Sequence, residues 1–226
     1  PRWDGGVGAP AGIWSNRYTP GVGWGTPEPL ATDYGPGPPL LVADPTGHVT
    51  AVWPQSAGLL SDRYTLSVGW GAAELVDAGN AAGPLFPADM GVSPNGDVIV
   101  AWTQSGVSAG KSWSIIWSKL YTPGVGWGTA EVIGSSDSGF ARDVQLAVDP
   151  NGHATAVWEV GNHHIWSNRY TPGVGWGTAV PVGDSRGRVD TLEKYVRPRV
   201  VVDAGGQATA VWGRWGDLWS NRTEVP

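Results

Sequence analysis

The side chains of this sequence best suited to chemistry recur in sets. Arg17, Arg63, Arg169 and Arg222 each follow an Asn or Asp, and three of them stand shortly after a Trp, at Trp14, Trp166 and Trp219. Glu28, Glu74 and Glu131 recur further along the same unit, while Leu120 and Val180 break the two series. A guanidinium fork and a carboxylate suit the hydroxyls of a sugar, and an indole face suits its apolar C–H face. The candidate ligand-binding set is therefore Trp14, Arg17, Glu28, Arg63, Glu74, Trp166, Arg169, Trp219 and Arg222. The same residues also read as structure, with Arg and Glu forming cross-strand ion pairs and Trp filling a core. Both readings stay open at this level.

Other chemistry is thinly represented. Asp89, Asp143, Glu159, Asp190, Glu193 and Asp217 form no recognisable pair of the kind glycoside hydrolysis uses, so each reads as a solvated loop acid. No catalytic residue is assigned, and the expectation is a protein that is not an enzyme. Asp44, Asp149 and Asp203 recur, but each opens a turn in which an Asp accepts backbone hydrogen bonds. His163 and His164 are adjacent, so on a strand they face opposite ways, and no metal site or cofactor is expected. A net charge of -6 with scattered basic residues excludes a nucleic-acid footprint. No apolar stretch is long enough for a membrane-spanning helix, so no membrane insertion is expected. The chain has no Cys, which excludes disulfides and thiolate chemistry. It begins at Pro1 and its single Met is Met90, which points to processing and to a secreted, extracellular or cell-surface location, the periplasm included.

These residues are positioned by an internal repeat. Residues 13–26 read IWSNRYTPGVGWGT, and residues 165–178 read the same fourteen letters. Residues 116–129 and 59–72 are looser copies, and LWSNR at 218–222 starts a fifth. The aligned Trp24, Trp70, Trp127 and Trp176 are 46, 57 and 49 residues apart. Between the copies runs a second motif, LAVDPNGHATAVW at 146–158 in its clearest form, which reads as a hairpin around Asp-Pro-Asn-Gly. Its two strands, A and B, precede the strand C of IWSNRYT and a strand D opened by the following Trp. Four antiparallel strands per period make a blade, and the fold class is all-β, a β-propeller of four or five four-stranded antiparallel blades. The chain reads as one domain, with a partial blade over 1–39, blades over 40–88, 89–144 and 145–198, and a partial blade over 199–226. A blade shared between the two ends would close the ring and hide its sheet edges. A subunit of a larger assembled ring is a further option. The A–B and C–D turns share one end of the blades. The opposite end carries unequal loops, such as 103–112 and 184–199, with His163, His164, Arg186 and Trp215 as candidate contacts.

The Leu-Ala-Val-Asp-Pro-Asn-Gly hairpin at 146–152, with Tyr-Thr-Pro-Gly-Val-Gly-Trp at 170–176, resembles the repeat-built propeller lectins, such as the tachylectins and the fucose-binding propellers. That resemblance implies multivalent glycan binding without catalysis. The 170–176 turn is also similar to the aspartate-box turn of sialidases, although it lacks that motif's Ser and Asp. The leading expectation is an exported, lectin-like propeller with glycan partners. The alternatives are a structural or protein-interaction propeller with a protein partner, and a glycan-processing hydrolase.

Overall fold

The computed structural model describes residues 12–32, 37–56, 58–79, 85–137, 139–161, 164–184, 197–214 and 217–222, with the backbone alone at 85–88, 184, 214 and 217–219. These residues form strands and no helix. Blade 1 holds β1 (Ile13–Ser15), β2 (Tyr18–Thr19), β3 (Gly23–Trp24) and β4 (Glu28–Ala31), pairing as β1 with β4 and β2 with β3. Blade 2 runs β5 (Leu40–Ala43), β6 (Val49–Gln55) and β7 (Gly58–Thr65), with β8 (Gly69–Trp70) and β9 (Glu74–Asp77) both on β7. Blade 3 repeats this with β10 (Leu85–Val92), β11 (Val98–Ser108), β12 (Lys111–Thr122), β13 (Gly126–Trp127) and β14 (Glu131–Ser136). Blade 4 follows with β15 (Ala141–Val148), β16 (Ala154–Val160), β17 (His164–Thr171), β18 (Gly175–Trp176) and β19 (Val180–Asp184). Blade 5 contains β20 (Arg199–Val202), β21 (Ala208–Arg214) and β22 (Asp217–Arg222).

The four-strand blade of a β-propeller is therefore present, with strand A taken in turn by β5, β10, β15 and β20. Each of these A strands lies against the A strand of the next blade, which makes A the inner strand. The end sheets remain separate among the described residues, and β22 fills the place beside β21 that the amino-terminal strand C would take in a shared blade.

Local chemistry explains the turns and the departures from expectation. In the A–B turn of blade 4, Asp149 accepts backbone N–H groups of Asn151 and His153 at 2.8 and 3.0 Å, and Gly152 takes a φ of 85° that a β-branched residue resists. Strand D, expected to run unbroken from Trp176, is in two pieces, because Gly177 turns its N–H onto the Arg169 carbonyl at 2.9 Å. Residues 103–112, expected as a loop, are the tip of a long β11–β12 hairpin, turned by Ala109 and Gly110 at φ 50° and 74°.

The core lies between blades rather than within them. Ile99, Ala101, Ile116 and Ile133 of blade 3 pack on Leu146, Ala156 and Trp158 of blade 4, and analogous clusters join the other neighbours. Both faces of strand B are covered, which is why it reads as the continuous apolar run Ala-Val-Trp instead of an alternation. Trp53, Trp102, Trp158 and Trp212 are the buried anchors of these clusters. The preceding blade makes room for them: a Cβ added at Gly134 would stand 2.5 Å from the Trp158 ring, and one at Gly183 would stand 2.3 Å from Trp212.

Gly134→Ala is therefore expected to lower stability by about 1–3 kcal/mol through overpacking, whereas Gly213→Ala, where a Cβ meets nothing within 4 Å, is the near-neutral control. Urea denaturation of the two variants checks this. Equal stability in both would contradict the inter-blade seat of Trp158.

Candidate functional site

The recurring Arg is first a structural residue. Arg63 donates to the Asp44 carboxylate at 2.7 Å and to the Thr50 hydroxyl at 2.9 Å, so strand C is tied to the A–B turn and to strand B. Arg222 donates to Asp203 at 2.9 Å, and Arg169 lies 3.7 Å from Asp149. The partner is thus the turn Asp, not the strand D Glu expected from hairpin pairing. Burial opposes charge on Asp44, but hydrogen bonds from the Thr46 hydroxyl and from the backbone of His48 and Thr46 outweigh it, and its carboxyl sits below the ordinary range.

A second layer of contacts joins each blade to the next. Arg17 lies over the Tyr64 ring at 4.9 Å, and Arg63 over Tyr121 at 5.2 Å. The indole of Trp70 donates to Ser15 at 2.7 Å, and that of Trp127 to Ser61 at 2.8 Å. At the position before the Arg, Asn168 donates to the Ile133 carbonyl and Asn221 to the Val182 carbonyl, and Lys119 reaches Val76 in the same manner. Asp62 occupies that position in blade 2. It is buried and accepts the N–H groups of Arg63 and Gly71, and burial pushes its carboxyl above the ordinary value.

The candidate residues separate accordingly. Trp14 is 42% exposed on β1, Trp166 is half-buried against the blade 3–blade 4 core, and Glu74 is exposed on β9. Glu28 accepts a long hydrogen bond from Ser15 at 3.5 Å. Trp219 is placed by the register of β22 with β21, and His164 is exposed at the start of β17. His163, Arg186 and Trp215 lie outside the described residues, as do Asp190 and Glu193.

The structure also gathers a polar cluster on three consecutive inner strands. Asp89 of β10 accepts the N–H of Met90 at 2.9 Å and that of Leu146 of β15 at 2.8 Å. Burial raises its carboxyl above the ordinary value, against the lowering effect of these bonds and of the Arg199 charge. Arg199 of β20 donates to Gln145 of β15, and Arg197 lies 3.8 Å from Asp143. Asp143 holds a φ of 53°, uncommon for a residue other than glycine and a recurrent mark of functional positions. Two of the acids read as solvated loop residues, Asp89 and Asp143, are thus strand residues of this cluster. Sequence reasoning did not find Gln145 and Arg199, because neither recurs from blade to blade.

No protein-family model and no curated protein matches the chain. Solved structures do. An alpha-L-arabinanase of Penicillium chrysogenum complexed with arabinobiose is 15% identical, with a TM-score of 0.50 over 86% of this chain and 65% of that one. A protein of unknown function from Dyadobacter fermentans is 12% identical, with a TM-score of 0.52 over 84% of this chain and 61% of that one. A puromycin hydrolase gives 14% identity and a TM-score of 0.53 over 83% of this chain and 29% of that one. This chain therefore spans less than two thirds of the length of these structures. The likeness supports the β-propeller fold. The expectation that the chain is not an enzyme is corrected by the same likeness, since the fold is shared with an alpha-L-arabinanase. The likeness to propeller lectins has no counterpart among these structures.

Asp62→Asn is expected to stabilise the protein by about 1 kcal/mol at neutral pH, because an amide donates to blade 1 where a carboxylate cannot. The raised carboxyl of Asp62 favours its neutral form in the folded state, so the wild type loses stability as pH rises through that raised value, and the advantage of the variant grows from acidic to neutral pH. Melting temperatures across that range check this. A variant less stable than wild type at neutral pH would contradict it.

Proposed function

We propose that the protein is a carbohydrate-handling β-propeller that holds a glycan at the inner-strand cluster of Asp89, Asp143, Gln145 and Arg199. The observation that carries this reading is the convergence of two carboxyls, an amide and two guanidinium groups from β10, β15 and β20 and the chain just before β20. Such groups donate and accept along vicinal hydroxyls, and they stand on rigid inner strands. The arabinanase likeness supports a sugar as the ligand of this fold. The near-identical blade copies, with Val22, Val68, Val125 and Val174 exposed at equivalent turn tips, add weak multivalent contacts in an exported protein.

A second reading is glycoside hydrolysis at the same cluster, favoured by the raised carboxyl of Asp89 and the positive φ of Asp143 on the neighbouring inner strand. In that reading Asp89 gives a proton to the departing glycosidic oxygen and Asp143 supplies the second carboxylate.

A glycan panel that includes arabino-oligosaccharides, followed by calorimetry, tests the proposal. Arg199→Ala is expected to weaken binding about tenfold or more, while Arg17→Leu leaves the main site intact. No binding to any glycan, or a loss confined to Arg17→Leu, would contradict it. Chromogenic glycosides test the second reading, which expects a rate that falls as pH rises through the raised Asp89 value and that is lost in Asp89→Asn.

A further inference from the structure

Blade 3 keeps the Asn168 and Trp158 contacts with blade 4 but departs from the inter-blade pattern at the Arg–Tyr and Trp–Ser contacts. Where blades 1 and 2 place Arg17 and Arg63 on the tyrosine of the next blade, blade 3 has Leu120 facing Tyr170. The turn Asp is replaced by Ser93, and Ile99 stands where Thr50 receives Arg63. The indole-to-serine bond is missing as well: Ser118 is 1% exposed and its hydroxyl has no hydrogen-bond partner. An unmet polar group at such depth carries a free-energy cost, which a bound donor relieves.

These changes leave a cavity of about 200 Å³ between the blades, lined by Ser118, Leu120, Glu131, Tyr170 and Trp176 among others. Asp97, which replaces the histidine at this place in the turns of blades 2 and 4, sets a second negative charge near Tyr170. Among the described residues neither Asp97 nor Glu131 has a basic partner in an ion pair. The ammonium of Lys119, the cation on the lining, is engaged by the Val76 carbonyl of blade 2.

We propose that this cavity binds an organic cation, a guanidinium or alkylammonium group placed on the Tyr170 ring beside Glu131 and Asp97, where the junctions of blade 1 with blade 2 and of blade 2 with blade 3 hold the protein's own arginine. The ring attracts the charge, the carboxylates neutralise it, Ser118 accepts an N–H, and Leu120 and Ile99 cover the apolar body of the ligand. This site is separate from the inner-strand cluster and does not depend on the glycan reading.

Calorimetry on the whole protein with N-methylguanidinium, its neutral isostere methylurea, N-acetylarginine amide and a neutral monosaccharide tests the proposal. N-methylguanidinium is expected to saturate one site and to bind at least about tenfold more tightly than methylurea. Leu120→Arg, which fills the cavity with an internal guanidinium, is expected to abolish binding, and Glu131→Gln to weaken it about tenfold. Glu131 is exposed, so its substitution keeps the test decisive if Leu120→Arg fails to fold. Tighter binding of N-acetylarginine amide assigns the site to an arginine side chain on a peptide, and its exclusion assigns it to a free small cation. Equal binding of methylurea, displacement by the neutral sugar, unchanged affinity in Glu131→Gln, or no saturation in the millimolar range would each overturn the proposal.

Discussion

The constraint on which this structure depends is that its blades must be joined without backbone hydrogen bonds. Among the described residues no ladder passes from one blade to the next. Side chains must therefore supply all the cohesion between blades. The apolar part comes from a buried strand B Trp received by its neighbour. The polar part comes from a Trp indole on a Ser hydroxyl, an Arg on a Tyr ring, and an amide on a strand D carbonyl. Each is modest alone, but they recur, and neighbouring terms of this kind sum along a repeat array.

The identity of residues 13–26 and 165–178 therefore has a physical cause besides any ligand. Almost every letter of IWSNRYTPGVGW touches a neighbour or shapes a turn. Ile165 and Trp166 pack at junctions, Asn168 reaches back to Ile133, and Tyr170 faces the blade before it. Blade 3 shows the contact without its arginine. Ser93, Asp97, Ile99, Lys119 and Leu120 change together, as the parts of one contact must when its central arginine is lost. A turn carboxylate left behind without its arginine would be costly in a half-buried junction, and here Ser93 stands in place of that Asp.

How much of this the sequence discloses depends on whether the determinant is local. The Asp149–Gly152 hairpin, the strand order within a blade and the inner burial of the Ala-Val-Trp run all follow from neighbours along the chain. The break in strand D at Gly177 is hidden because the carbonyl of Arg169, across the C–D turn, captures its N–H. The ion-pair partner of Arg63 was misjudged for a related reason: Asp44 lies on a turn two strands away, beyond the hairpin that Arg63 shares with Glu74. Residues 103–112 look like a loop because Ser and Gly are frequent there, yet the Ala109-Gly110 turn extends the hairpin through them. The inner-strand cluster was the least legible part. Asp89, Gln145 and Arg199 meet across three blades and none is repeated, so periodicity directs attention away from them.

Side-chain fastening joins the blades, and the junction of blade 3 with blade 4 lacks part of it. Paired double-mutant cycles, with Trp127→Phe and Ser61→Ala set against Trp176→Phe and Ser118→Ala, measure it most directly. A coupling of about 1 kcal/mol is expected for Trp127 with Ser61, the worth of one buried hydrogen bond, and a coupling near zero for Trp176 with Ser118. Equal coupling at the two junctions, or none at the first, would contradict it.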